Sequence, residues 1–378
     1  MNLFPHKLKE KLQLRQSEHA LRSLSTPDFK IDFYSNDYLG LAQNKDLFEA
    51  THRFLVQNQY QTNGSTGSRL ISGNHPLFEL TEQTIADFHE SEAALIFNSG
   101  FDANIGFFGA VPQRQDLILF DELSHASIRE GIKISDAKSF KFSHNDVENL
   151  TDLIQKNRSL YDECYLVTES VFSMDGDCAP LKSMVELAQK FNCKLIVDEA
   201  HALGVLGNHG EGLCQSLGVV NSVFARIITF GKALGCHGAA VVGSEMLKCF
   251  LLNFARSFIY TTALSPHAVA SILVHYQHLM ANQSLVLNLK QNITFYQNLT
   301  SNLSLNCSKN PTAIQTLTFG SLAETQRIAK ALQEQGFGVK AILSPTVKKG
   351  QERIRICLHS FNSEQEIELL FQTLKSEI

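Results

Sequence analysis

The sequence lacks the clustering of cysteines that a disulfide framework or a structural zinc site needs. Its eight cysteines (Cys164, Cys178, Cys193, Cys214, Cys236, Cys249, Cys307 and Cys357) are scattered without one C-x-x-C pair, so they read as reduced packing residues. No run approaches the ~18 uncharged apolar residues of a membrane helix. Residues 1–22 are charged and amphipathic (Lys7, Lys9, Glu10, Lys11, Arg15) and have no apolar segment of the secretory kind. A cytoplasmic chain with no membrane association is expected. The net charge of −5 is spread along the chain with no basic stripe, which argues against nucleic acid as a partner. None of the 14 histidines falls in an H-E-x-x-H pattern, so a zinc hydrolase is disfavoured and no metal site is expected. Internal repeats and low-complexity linkers are absent.

What is present is a long, ordinary globular composition. With 378 residues, 44% hydrophobic and 19% charged, the chain has material for a large core, divided into two packed subdomains. Between residues 90 and 245, short apolar runs alternate with helical periodicity. Segments 93–97, 116–120, 164–168, 194–197, 226–229 and 239–242 read as buried strands. Strands alternating with helices imply an α/β fold, a mostly parallel sheet with helices on both faces. Pro180 opens an expected helix to Phe191. After Ser265-Pro266 a long helical stretch (267–300) leads into a small α+β unit. There 312–319, 339–343 and 353–358 read as strands, and 322–335 as a helix closed by Gly336. A last helix starts at Ser363, where Ser363-x-x-Glu366 has capping-box spacing. The expected division is 1–40 as an N-terminal segment, 41–270 as the large domain and 271–378 as the small one.

In open α/β sheets ligands bind beyond the carboxyl ends of the strands, and there the sequence places its reactive side chains. Lys232 is the only formal charge between Arg226 and Glu245, in a glycine-rich apolar run. An ammonium stripped of water loses proton affinity, and its neutral amine can form a Schiff base with an aldehyde. The bland alternative is a lysine that lays its stem on apolar surface and keeps its head in water. Asp198, directly after a buried strand, either caps a turn or pairs with a protonated pyridine nitrogen. Thr229, three residues before Lys232, suits a phosphate contact. The turn Phe97-Asn-Ser-Gly-Phe101 opens a helix whose first N–H groups make an anion site. His125, in Asp121-Glu-Leu-Ser-His-Ala-Ser127, is placed to stack on an aromatic ring. Taken singly, each of these is more often structural; their recurrence at successive strand ends favours a shared site. Nucleotide motifs fail: a G-x-x-x-x-G-K-[ST] loop around Lys232 would begin at Arg226 and end at Ala233, and Gly204-Val-Leu-Gly-Asn-His-Gly-Glu-Gly212 has the wrong order for G-x-G-x-x-G.

The motifs Ser35-Asn-Asp-Tyr-Leu-Gly-Leu41, Gly67-Ser-Arg-Leu-Ile-Ser-Gly73, Glu169-Ser-Val-Phe-Ser-Met-Asp-Gly176, Val197-Asp-Glu-Ala-His-Ala-Leu-Gly204 and Thr229-Phe-Gly-Lys232 resemble, in this order, those of the α-oxoamine synthases. These are fold-type I pyridoxal-phosphate enzymes of the class II aminotransferase superfamily, which condense an amino acid with an acyl thioester and release carbon dioxide. The Gly67–Gly73 motif looks most like that of the members that join L-alanine to a pimeloyl thioester, on coenzyme A or a carrier protein, in biotin biosynthesis. Members using glycine or another acyl chain are the alternative. The resemblance implies that Lys232 holds pyridoxal 5'-phosphate as a Schiff base and moves the Cα proton. It implies that Asp198 pairs with the ring nitrogen, that His125 stacks on the ring, and that Ser173 and His201 lie by the phenolic oxygen. Gly100, Phe101 and Thr229 would hold the phosphate, with Thr262, in Tyr260-Thr-Thr-Ala263, supplied by the other subunit of a homodimer. Arg355 would bind the substrate carboxylate, with Arg22, Asn36, Thr346 and His125 on the substrate side. Phe78 departs from the family pattern, in which histidine is common at this place, as do His237 and Leu343.

Overall fold

The computed structural model describes residues 4–17, 21, 22, 24, 26, 28–301, 306–344 and 346–378. Of the charged N-terminal stretch, residues 1–3 and 18–20 lie outside the described residues; the rest holds an exposed helix, His6–Ser17.

A short strand β1 (Ile31–Asp32) precedes the strands of the central sheet: β2 (Ala93–Phe97), β3 (Leu117–Asp121), β4 (Lys138–Phe142), β5 (Cys164–Glu169), β6 (Lys194–Asp198), β7 (Ala225–Thr229) and β8 (Ala239–Gly243). Seven of them form one sheet in the order β2-β8-β7-β6-β5-β3-β4. β8 runs antiparallel to both neighbours, and the remaining pairs are parallel. Strand residues therefore alternate between two cores. Ala94, Ile96, Leu119, Leu166, Leu195, Val197 and Ile228 point into one. Leu95, Phe97, Ile118, Val167, Ile196 and Ile227 point into the other, where the helices Gly100–Phe108 and Ala126–Ile134 contribute Phe107, Phe108, Ile128 and Ile132. Burial on both faces is why these strands read as continuous apolar runs. β4 is the exception. Its sequence Lys-Ser-Phe-Lys-Phe is half exposed at the sheet edge, and lysines on an edge strand block further pairing while hiding the strand from an apolar pattern.

The long helical stretch is two helices, Pro266–Ala281 and Gln283–Thr300. Asn282 separates them with φ −125° and ψ 70°, and its side-chain amide donates 2.8 Å to the carbonyl of His278. An asparagine that satisfies a helix-end carbonyl ends the helix locally. Beyond it lie β9 (Asn306–Cys307), β10 (Ile314–Thr318), β11 (Phe337–Gly338), β12 (Lys340–Ile342) and β13 (Arg353–Cys357). Four of these make an antiparallel sheet in the order β12-β13-β10-β9, while β11 pairs in parallel with β1. The expected capping box at Ser363 and Glu366 is formed.

The loop after β5 folds back at Val171 and Cys178 and joins the two sheets. Thr312 donates 2.7 Å to the carbonyl of Gly176. Gly176 has φ +76°, and a Cβ there would lie 2.2 Å from the carbonyl oxygen of Ile314, so only glycine fits. On the other side His144 spans two carboxylates: Nδ1 to Asp121 at 3.0 Å and Nε2 to Asp177 at 2.7 Å, with its ring edge-on to Phe172. Burial alone would lower the affinity of His144 for its proton; the bonds to Asp121 and Asp177 outweigh this and hold its pKa at about 9. A raised histidine pKa stabilises the fold below about pH 6.5, and that contribution is lost as pH rises through about 9. His144→Gln should therefore cost about 2 kcal/mol at pH 6, with the gap to wild type shrinking to a few tenths by pH 10. Urea unfolding across that range measures the gap, and a constant gap would contradict the clamp.

Candidate active site

β2, β3, β5, β6 and β7 share one direction, so their carboxyl ends meet at one edge. Ser99, His125, Glu169, Asp198 and Thr229 stand there, and the register sets Glu169 beside Asp198. Lys232 sits in the loop that turns β7 into antiparallel β8. That loop is closed on itself by Phe230 N–H to Gly238 O (3.0 Å), Gly235 N–H to Lys232 O (2.8 Å) and Cys236 N–H to Phe230 O (3.2 Å). The Lys232 ammonium has no hydrogen-bond partner among the described residues. Burial lowers its pKa, Asp198 and Glu169 pull it back up, and Arg355 lowers it further. The net direction is down, as expected for an amine that must be neutral at some point in its work.

Asp198 is buried and held on both oxygens: Ala200 N–H donates 2.9 Å to Oδ1, and Asn104 Nδ2 donates 2.9 Å to Oδ2. The same Asn104 amide donates 3.0 Å to Ser127 Oγ, which lies 2.7 Å from Nδ1 of His125. One amide thus ties Asp198 to His125, leaving its own buried Oδ1 without a partner. His125 caps the helix Ala126–Ile134, and its N–H donates 2.5 Å to Glu169 Oε1. Its imidazole is pushed toward the neutral form by burial and then by Lys232, against the pull of Asp198. Burial, followed by the charge of Asp198, raises Glu169 to about 8. Glu169 and Asn104 were not singled out from the sequence. Asn104 carried a legible signal, a polar residue one helical turn past Gly100 in an otherwise apolar helix face; Glu169 was quoted only as the start of a motif.

A second chain of contacts approaches from β6 and β13. His201 Nδ1 lies 2.7 Å from the hydroxyl of Tyr38, which lies 3.1 Å from Asn36 Oδ1. Arg355 donates to that same Oδ1 from Nη2 (2.9 Å) and to the carbonyl of Ser173 from Nε (2.9 Å). Burial, then Lys232 and Arg355, hold His201 well below the usual histidine range, so it is neutral.

At the third corner Ser99 caps the helix Gly100–Phe108, accepting from Asp102 N–H at 3.1 Å. The first N–H groups of that helix, at Gly100 and Phe101, have no acceptor within it. A Cβ on Gly100 would come within 2.4 Å of Thr229 Oγ1, so the glycine lets the threonine hydroxyl close on the helix start. These positions are brought together as the sequence implied. Thr262 is exposed nearby, its carbonyl accepting from Asn98 Nδ2 at 2.9 Å. Arg22 and Thr346 are exposed and take no part in this network; Thr346 closes a turn on Leu343. Phe78 is fully buried beneath the Arg69 guanidinium, 4.0 Å from its ring centre, in a pocket where Arg69 pairs with Glu82.

The arrangement has counterparts. The model of the family "Aminotransferase class I and II" matches residues 29–374. An 8-amino-7-oxononanoate synthase of Emericella nidulans is 38% identical over 389 aligned positions, covering 97% of this chain and 94% of the relative. The solved 8-amino-7-oxononanoate synthase of Francisella tularensis superposes with a TM-score of 0.78 at 31% identity, covering 92% of this chain and 97% of that one. A serine palmitoyltransferase of Sphingomonas wittichii superposes with a TM-score of 0.89 at 26% identity, covering 100% and 97%. With the strand-end cluster, the family match and near-full-length relatives in agreement, the chain belongs to the class I and II aminotransferases and, within them, to the 8-amino-7-oxononanoate synthase group.

Proposed function

We infer that this protein catalyses the pyridoxal-phosphate-dependent, decarboxylative condensation of L-alanine with a pimeloyl thioester, on coenzyme A or a carrier protein. The products are 8-amino-7-oxononanoate, CO2 and free thiol, as a step of biotin biosynthesis. The observation that carries it is the desolvated Lys232 amine facing Asp198 inside a fold whose relatives bear that name.

The donor set fits the cofactor. Gly100 and Thr229 form a cradle that any Cβ at position 100 would fill, with free helix N–H groups and Phe101 at its rim for a phosphate. Asp198, anchored by Asn104 and Ala200, is an anion fixed for a protonated ring nitrogen. His125 is exposed at the site and would stack on the ring, and His201 with Ser173 would take the phenolic oxygen. Pyridoxal phosphate supplies an aldehyde carbon that bonds amines and a ring that draws electrons from the bonds at the amino-acid Cα. Lys232 would hold that aldehyde, and its Nζ, once released, would accept the Cα proton and later return one. Burial and the neighbouring Asp198 raise Glu169 to about 8, so near neutrality Glu169 stands beside the lysine with its proton on. Arg355, steadied by Asn36 and Ser173, binds the carboxylate that leaves as CO2. The family resemblance would put Arg22, Thr346 and His125 on the substrate side.

The active unit is a homodimer in which Thr262 reaches the partner's phosphate seat. Thr262 lies at a rim rich in exposed apolar side chains: Ile71 is 85% exposed, Tyr260 78% and Phe101 51%. Ala263 N–H ties this segment to the carbonyl of Gly67 at 3.0 Å, so the rim is one surface. Apolar groups so placed call for a partner surface. No helix among the described residues is long and apolar enough to cross a membrane.

Three outcomes follow from this assignment. The purified protein is yellow, and borohydride followed by peptide mapping places the cofactor on Lys232; a label on another lysine refutes the site. Lys232→Ala binds cofactor weakly and loses product formation by more than ~1,000-fold in assays with alanine and pimeloyl thioester, the usual scale for removing a covalent and proton-transfer residue; glycine as the preferred amino acid would redirect the substrate assignment. Sedimentation gives a species of twice the 42.1 kDa chain mass, and a monomer with full activity would dismiss the shared site.

A further inference from the structure

Tyr38 is fully buried and stands between the two halves of the site. Its hydroxyl lies 2.7 Å from His201 Nδ1 and 3.1 Å from Asn36 Oδ1. Asn36 Oδ1 also accepts from Arg355, and guanidinium only donates, so that atom is an oxygen and an acceptor. The phenol ring cannot swing away: His359 stacks on it at 6.5 Å between centroids, and Ser360 N–H holds the Tyr38 carbonyl at 2.8 Å. The charged and titratable groups facing it are His201, Arg355 and His359, with Cys357 behind. Burial raises the phenol's own pKa, so Tyr38 keeps its proton. His201 is neutral and carries one N–H.

A single phenolic proton thus has two acceptors. If it goes to Asn36, then His201 must donate from Nδ1 to the phenol oxygen, and Nε2 is a bare acceptor. If it goes to His201 Nδ1, then Nε2 carries the N–H and Asn36 Oδ1 is left to Arg355 alone. The first arrangement makes both hydrogen bonds and is the resting one in the free protein, where Nε2 has no partner among the described residues. The second is required once an anionic oxygen stands at Nε2, since only a donor satisfies it.

We propose that Tyr38 is a positioning residue that relays occupancy of the His201 side to the Asn36–Arg355 carboxylate site through the placement of one proton. With an anionic oxygen beside it, His201 gives its Nδ1 proton to water and takes one from water at Nε2, with no net change in charge; the Tyr38 O–H, still on its own oxygen, turns from Asn36 to the bare Nδ1, and the released Asn36–Arg355 pair is then free to adjust to an amino-acid carboxylate. The relay rests on the reading above that His201 meets the cofactor's phenolic oxygen and Arg355 the alanine carboxylate. It adds an order to their use, with the cofactor preparing the carboxylate site.

Histidine 15N–1H spectra read the tautomer directly, with His201 assigned by His201→Gln. In wild type without cofactor His201 is the Nδ1–H tautomer, and loading with pyridoxal 5'-phosphate converts it to Nε2–H. In Tyr38→Phe the ring and packing remain, and thermal unfolding checks the fold. There the apo protein no longer favours Nδ1–H, the titration of the bound cofactor's absorption band shifts, and KM for alanine rises roughly tenfold, the worth of one hydrogen bond, while kcat moves less than threefold. A His201 tautomer that is the same with and without cofactor in wild type overturns the relay, as does a Tyr38→Phe enzyme with unchanged KM and band titration. Failure of wild type to take up cofactor at all would instead strike the assignment of the site itself, and the relay with it.

Discussion

A sheet buried on both faces leaves its polar chemistry nowhere to go but an edge. Because six of the seven strands run the same way, with only β8 reversed, every loop that can afford polarity emerges beside the others, and a lysine in one faces carboxylates from two more. The Lys232–Asp198–Glu169 group is the result: one cation and two acids with little water among them. Neither acid alone would do. Two ionised carboxylates side by side would hold the ammonium charged, whereas Glu169, protonated to about pH 8, limits the local negative charge to one. The lowered proton affinity of Lys232 is thus set first by its burial, which Asp198 and Glu169 oppose and Arg355 reinforces.

The small sheet matters because it closes this edge. Arg355 on β13 crosses to Ser173 and Asn36, while Arg353 beside it pairs with Asp175. The hairpin between them is pinned from the large sheet by His144 and from the small one by Thr312. Substrate-side and ring-side groups thus belong to different sheets but share one strut, tied to both by hydrogen bonds and ion pairs.

Much of this could be read from residue order. The buried strands were legible because both faces demand apolar side chains, and strands such as β2 were placed to the residue. Lys232, Asp198, His125, Thr229 and Gly100 were legible because each follows such a strand at one sheet edge. Arg355 and Asn36 were not: they reach the site from a distant strand and a loop, and only the family resemblance named them. β4 is not legible because it is half exposed, and its two lysines interrupt any apolar run. The helix break at Asn282 was missed because the apolar periodicity carries through it; the cause is a single side-chain bond to His278. Glu169 lies in a strand whose pattern reports only packing, Asn104 shows only as a polar break in an apolar helix face, and partners such as Ser127 and the His125 amide exist only after folding.

The reversed strand β8 gives Lys232 a different kind of support from its neighbours. Asp198 and Thr229 end strands, but the lysine occupies the bend of a hairpin whose two arms are both central members of the sheet, and Gly235 in that bend lies so close to Ala42 that no side chain fits there. The backbone beneath the amine is therefore as immobile as the sheet. All the travel of Nζ must come from rotations about the four methylene groups, with no shift of the backbone. A base on a fixed pivot can leave the aldehyde, visit a proton and return without any segment of the chain opening, so movement of the amine itself need never limit turnover.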